Sequence, residues 1–176
     1  KKNIPLVIRM IIGRGWGQGA QHSQSLESWF AHIPGLKVVM PATPHDAKGL
    51  LISAVEDNNP VIYIEHRWLH NTFGEVPEES YTTPIGKAHV VSEGSDLTIV
   101  AHSYMTIEAL KAVKILINEG INCDVIDLRT IRPLDIETII SSVEKTKKLL
   151  VVDNGWMHFG VSAEIISIVS ERLSTS

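Results

Sequence analysis

Cysteine is almost absent: Cys123 is the one thiol in 176 residues. A single thiol cannot close an internal disulfide, so a disulfide-stapled scaffold is excluded and a reducing compartment is expected. Basic charge is not in excess either. Sixteen Lys and Arg stand against 20 Asp and Glu, for a formal net charge of -4. That balance gives no positive field to attract nucleic acid. No uninterrupted apolar run is long enough to span a bilayer, so no membrane partner is expected. Low-complexity tracts and short repeats are missing as well. Residue 1 is not Met, and Lys1-Lys2-Asn3 lead straight into an apolar run without the small-residue cleavage site of a secretory signal. The sequence reads as starting inside a larger protein.

What is present is an ordinary globular composition, 44% hydrophobic and 20% charged, with length for one or two α/β domains and a sizeable core. Ile4 to Ile12 reads as a buried strand. Gly13, Gly15, Gly17 and Gly19 then alternate, which marks a loop. A helix with Leu26, Trp29, Phe30 and Ile33 on one face follows, stopped by Pro34-Gly35. Lys37 to Met40 reads as a strand. Thr43, Pro44 and Asp46 form a helix start, with the Thr side chain as cap and Asp46 completing a capping box. Ala47, Leu50, Leu51, Ala54 and Val55 make that helix's expected buried stripe. Asp57-Asn58-Asn59-Pro60 ends it, and Val61 to Ile64 is another strand. Alternating strands and helices predict a parallel α/β sheet.

Residues 66–95 break the rhythm with several Gly and Pro and an acidic patch at Glu75, Glu78 and Glu79. The expected organisation is a first domain over 1–80, a linker over 81–95 and a second α/β domain over 96–176. In the second domain, strands are expected at Leu97 to Ala101, Cys123 to Leu128 and Leu149 to Val152. Helices are expected at Ile107 to Asn118, from Asp135 with Ile136, Ile139, Ile140 and Val143 inward, and at Val161 to Leu173.

Several short patterns carry possible chemistry. Gly15, Gly17 and Ala20 match the relaxed dinucleotide pattern, but the amphipathic face begins only near Leu26 and the next strand ends without an acid. A flexible or interface loop is the better reading. His22 precedes a predicted helix with Ser23 as a possible cap. The helix's positive end would favour a neutral imidazole suited to acid-base work; a plain capping role is the alternative. Among the eight histidines, His66 and His70 have chelating spacing but read as surface residues of a linker. His32, His45, His89 and His158 have no metal-site arrangement around them. His102 ends a strand, where α/β proteins bind ligands. Asp57-Asn58-Asn59 could hold a hard cation through oxygen ligands or simply form an Asx-rich turn. Arg129 and Arg132 could pair with Asp127 and Asp135 in a structural turn, or meet an anionic partner.

Five segments together resemble one family. They are Ala20 to Gln24 with Pro34 to Val39, Asp46 to Leu50 leading to Asp57 to Pro60, Glu93 to Thr98, Asp127 to Asp135, and Asn154 to Trp156 with Phe159 to Val161 and Ala163 to Ile165. In order along the chain, they resemble the beta subunit of pyruvate dehydrogenase-type decarboxylases in the transketolase superfamily. The resemblance implies the back half of a pyrimidine-binding α/β domain followed by most of a transketolase C-terminal domain. It implies thiamine diphosphate with Mg²⁺, shared with an alpha subunit that holds the diphosphate and metal. It also implies a heterotetramer, a lipoyl-bearing acyltransferase partner and a 2-oxo acid substrate. By that resemblance His22 is the active-site histidine that assists proton transfer as the acyl group passes to lipoyl-lysine. Leu6, Ala54, Val55, Asp57 and Asn59 match a structural potassium site, the first three through backbone carbonyls. The glutamate that activates the aminopyrimidine would lie upstream of residue 1, and a tail would continue past Ser176. Asn154-Gly155-Trp156 with Phe159-Gly160 leans toward pyruvate or acetoin enzymes over branched-chain ones. A cytoplasmic or mitochondrial-matrix location is expected. The alternatives are a transketolase or deoxyxylulose-phosphate synthase-like enzyme, or a non-catalytic assembly domain.

Overall fold

A computed structural model describes residues 3–13 and 19–173. Two mixed sheets carry the chain. The first has the order β1-β3-β2-β7, built from β1 (Val7–Ile12), β2 (Lys37–Val39), β3 (Val61–His66) and β7 (Thr130–Arg132). The second has the order β4-β6-β5-β8, from β4 (His89–Ser92), β5 (Leu97–Ala101), β6 (Cys123–Asp127) and β8 (Leu149–Val152). In the first, β3 pairs in parallel with both β1 and β2, and β7 runs antiparallel to β2. In the second, β5 pairs in parallel with β6 and β8, and β4 is antiparallel to β6. The helices are α1 (Gly19–His22), α2 (Glu27–Ala31), α3 (Pro44–Glu56), α4 (Tyr104–Leu116), α5 (Ile136–Thr146) and α6 (Val161–Leu173). None of the described helices is long and apolar enough to cross a membrane.

Several elements form where local chemistry requires them. Thr43 Oγ1 accepts from the Asp46 amide at 3.1 Å and donates to the Asp46 carboxylate at 3.0 Å, which starts α3 with Pro44 in its first turn. In α5, Asp135 accepts from Thr138 at 2.9 Å, and Ile139, Ile140 and Val143 are buried on the predicted face. Gly120 closes the α4 region in the left-handed conformation that favours glycine. One apolar cluster joins the two sheets. It includes Val38, Met40, Ile62 and Ile64 from the first, and Val100, Ile126, Ile139, Ile165 and Val169 from the second unit. The two units therefore share a core through their facing surfaces.

Four expectations need correction. The apolar run at β1 is not fully buried: β1 is an edge strand, and Ile8 and Ile11 are 41% and 49% exposed. The α3 stripe is narrower than expected, with Leu50 and Ala54 buried but Leu51 and Val55 exposed. The stretch expected as a linker contains β4, which completes the second sheet. Segment 130–132 returns to pair with β2 as β7, so the first sheet takes a strand from late in the chain. The glycine pattern at Gly15 and Gly17 lies outside the described residues.

Candidate functional site at the converging strand ends

The carboxyl ends of strands from both sheets approach one another. β3 ends at His66, β5 is followed by His102, and β8 is followed by Asp153. Gly13, just after β1, lies so close to the His66 ring that any side chain there would overlap it. His66 in turn stacks on Tyr104 at the start of α4, with ring centroids 4.9 Å apart. Across the same seam, Asn154 donates to Ser25 at 3.4 Å. Strand carboxyl ends are where open α/β sheets bind ligands.

His22 is presented at this rim and is exposed. It ends the one-turn helix α1, and its carbonyl accepts from Arg67 at 3.3 Å. The Gly13 amide donates to the Gln24 carbonyl at 3.2 Å, which folds segment 19–24 back onto the end of β1. The expected helix positive end behind the ring is absent. Ser23 Oγ donates to the Gly19 carbonyl at 2.8 Å and so closes α1, while α2 begins at Glu27 with no side-chain cap. His22 thus sits at the carbonyl end of its own short helix. The predicted apolar face of α2 holds only in part: Phe30 packs on the core and Leu26 is half-buried. Trp29 and Ile33 are 68% and 48% exposed, and the buried residue of α2 is Glu27.

Glu27 meets His102 and Asp153 in a buried cluster whose ligand-capable atoms all lie within 4.8 Å of one another. His102 Nε2 stands 3.4 Å from Asp153 Oδ1. Burial raises the pKa of Glu27 above the ordinary carboxyl value, against the lowering pull of His102. Burial works against a charged His102, but Asp153 and Glu27 outweigh it and raise its pKa. Asp153 is lowered: the penalty of burial is overcome by His102 and by the amides of Gly155 and Ser162. Sequence reading picked out only His102 here. The available signal was three ionisable residues at strand or helix ends, but nothing local says that such ends converge.

His66 also departs from expectation. It is 4% exposed, not a surface residue, because β3 extends to it and Tyr104 covers its ring. His70 is the exposed member of the pair, 3.8 Å from Glu65. The turn after β6 is an ion-pair structure, though not with the partners expected. Arg129 binds Asp46 at 2.8 Å and His89 at 2.9 Å, while Asp135 caps α5. Asp127 is fully buried; burial drives its pKa up to about 7, countered by the Arg129 amide.

The candidate cation turn folds as an Asx turn. The Ile4 amide donates to the Asn58 carbonyl at 3.0 Å, so the approach to β1, with Leu6, lies beside the end of α3, which carries Ala54 and Val55. Asp57 accepts from the Asn59 amide and side chain at 2.8 and 2.9 Å and pairs with Lys37. The Leu6 carbonyl accepts from the Val61 amide at 2.8 Å.

The architecture agrees with the family models that match the sequence. The transketolase C-terminal domain matches residues 86–176, and the transketolase pyrimidine binding domain matches residues 1–71. This chain belongs to the transketolase family. Among similar family members, the beta subunit of acetoin:2,6-dichlorophenolindophenol oxidoreductase from Cupriavidus necator is 46% identical over 98% of this chain and 51% of its own length. The pyruvate dehydrogenase E1 component subunit beta of Bacillus subtilis is 48% identical over 96% of this chain and 52% of its own. The mitochondrial counterpart from Bos taurus is 47% identical over 97% and 48%. A solved structure described as a split gene transketolase, inactive beta4 tetramer, superposes with a TM-score of 0.83 at 26% identity, over 97% of this chain and 55% of that one. The chain spans about half the length of the curated relatives it matches.

Proposed function

We propose that this chain is the β-subunit part of a thiamine diphosphate-dependent 2-oxo acid dehydrogenase of the pyruvate dehydrogenase type. The reaction is oxidative decarboxylation with transfer of the acyl group to lipoyl-lysine. The observation that carries the reading is identity of 46–48% along nearly the whole chain to subunits with pyruvate dehydrogenase and acetoin oxidoreductase names. The transketolase-like alternative rests on a neighbour of only 26% identity. The partner would be an alpha subunit that supplies the diphosphate site and Mg²⁺. Exposed Trp156, Met157 and Phe159 beside the His22 rim offer apolar surface for such a partner.

The fit to the cofactor lies in presentation. His22 is exposed at the strand-end rim and its backbone is tied to Arg67, as a group shared between chains would require. When bound, thiamine diphosphate supplies the electron sink for breaking the bond beside the 2-oxo carbonyl. His22 then holds or delivers a proton at a ring nitrogen as the acyl group leaves for the lipoyl arm. A positioned acid-base group of this kind contributes about 10²–10⁴-fold. The turn at Asp57 and Asn59, with carbonyls of Leu6, Ala54 and Val55, is the proposed structural K⁺ site; Lys37 already occupies part of its charge.

The test is His22→Ala in the full-length protein assembled with its alpha subunit. Acylation of a lipoyl domain should fall by on the order of 10²-fold or more. Decarboxylation with an artificial electron acceptor should fall less. Near wild-type rates in both assays, in a variant that folds and binds cofactor, would rule out the role of His22. Ketol transfer between sugar phosphates without 2-oxo acid turnover would favour the transketolase-like reading.

A further inference from the structure

The buried cluster at Glu27, His102 and Asp153 has more acceptors than donors. Glu27 is 0% exposed and His102 is 1% exposed. Both Glu27 carboxylate oxygens and both His102 nitrogens lack a hydrogen-bond partner. Buried polar atoms are nearly always satisfied, so a concentration of unsatisfied ones in a single place calls for a missing group. One ligand-capable atom from each of the three residues lies within 4.8 Å of the others. The missing group is therefore positive and small.

Geometry narrows it further. Two ligand atoms each about 2.0–2.1 Å from a tetrahedral centre stand about 3.4 Å apart. His102 Nε2 and Asp153 Oδ1 are 3.4 Å apart, which is long for a hydrogen bond and right for two vertices around one ion. Asp153 is held in place for this by outer contacts: Oδ1 accepts from the Gly155 amide at 2.7 Å and Oδ2 from the Ser162 amide at 3.2 Å. Outer-shell bonds of this kind orient metal ligands. We propose that Glu27, His102 and Asp153 form a structural site for a divalent cation of the zinc class.

The choice of ion follows from the ligands. One imidazole with two carboxylates suits a borderline dication, whereas Mg²⁺ and Ca²⁺ prefer all-oxygen shells. Near-complete burial leaves little room for the several waters that Mg²⁺ keeps, and it favours low coordination. Two carboxylates and a neutral imidazole sum to a charge of -2, which a dication cancels. The ion would tie the start of α2, just past the His22 segment, to strand ends of the second sheet. It shares no residue with the Asp57 turn.

The full-length protein, stripped with a chelator, is titrated with zinc against a chromophoric competitor, and in parallel with Co²⁺. The site binds about one equivalent per chain, and Co²⁺, with a second carboxylate oxygen or one water as the fourth ligand, gives the intense visible bands of a four-coordinate ion. Glu27→Gln and His102→Gln each weaken zinc binding at least tenfold, and Glu108→Gln, at an exposed carboxylate of α4, leaves it unchanged. No stoichiometric binding, or unchanged affinity in folded Glu27→Gln and His102→Gln, overturns the site and leaves a shared proton in its place. Should those variants fail to fold, anomalous diffraction at the zinc edge from wild-type crystals decides. A peak among the three side chains upholds the site, and its absence at saturating zinc overturns it.

Discussion

At the scale of single residues, two buried groups tune stability in opposite directions with pH. His66 accepts from the Trp68 amide at 3.2 Å and stacks on Tyr104. Burial, then the nearby His102, Arg67 and His70, push its pKa from 6.5 down to about 4. Unfolded chains take up this proton below 6.5 while the folded ring stays neutral until about 4. Stability from His66 is thus present above 6.5 and is lost as pH falls toward 4. His66→Gln should flatten the acid limb of a plot of Tm against pH, even if its overall Tm is lower. Asp127 acts the other way. Its folded carboxyl keeps a proton between pH 3.8 and about 7 that the unfolded one has released. That contribution is present at low pH and declines as pH rises to about 7. In Asp127→Asn, the Tm should fall less between pH 5 and pH 8 than in wild type, by on the order of a few °C. A larger fall in the variant would show that burial of Asp127 is not the source of the slope.

At the scale of elements, α3 shows how a local signal acquires a tertiary role. Its cap is readable in sequence, and Thr43→Ala should cost about 1 kcal/mol in urea unfolding. Asp46 completes the same cap but is also 2% exposed and paired with Arg129 at 2.8 Å. Asp46→Ala strands a guanidinium that is largely buried, so its cost should approach about 3–5 kcal/mol. Equal losses in the two variants would mean the Arg129 pair adds nothing. The contrast between α2 and α5 makes a related point. Over its 11 residues α5 keeps its apolar face inward as the sequence indicates. With only five residues, α2 has too little length for periodicity to decide its orientation. Its first residue, Glu27, is instead buried beside His102 and Asp153 from the other unit.

At the scale of the whole molecule, apolar surface remains outside the shared core. Ile4, Leu6, Ile8 and Ile11 are 41–57% exposed along the β1 edge, and Trp156 and Phe159 are 75% and 95% exposed. Surfaces of this kind are usual for chains that assemble. The 176-residue chain by itself should therefore show no tight binding of thiamine diphosphate and Mg²⁺ in calorimetry. A micromolar constant would contradict the proposal that the diphosphate site belongs to a partner. The proposed K⁺ turn should raise the Tm of the full-length protein in potassium salts relative to tetramethylammonium salts, by mass action on the native state. Equal melting temperatures would argue for an Asx turn alone.

What the sequence determined by itself is whatever depends on neighbours along the chain. The strands at Leu97–Ala101 and Leu149–Val152 and the helix at Val161–Leu173 match the predicted limits, since branched runs and apolar periodicity are local properties. The Thr43 cap and the left-handed Gly120 are equally local. The position of His22 at the end of a strand-to-helix connection was legible; its own one-turn helix was not, because Ser23 could cap forward or bond back and only the fold selects. Tertiary structure alone decided that residues 130–132 pair with β2, that β1 lies at an edge, and that Glu27, His102 and Asp153 meet in the interior. Each of these joins segments far apart in sequence, and which strand ends converge depends on how two sheets pack on one core, a relation no local pattern encodes.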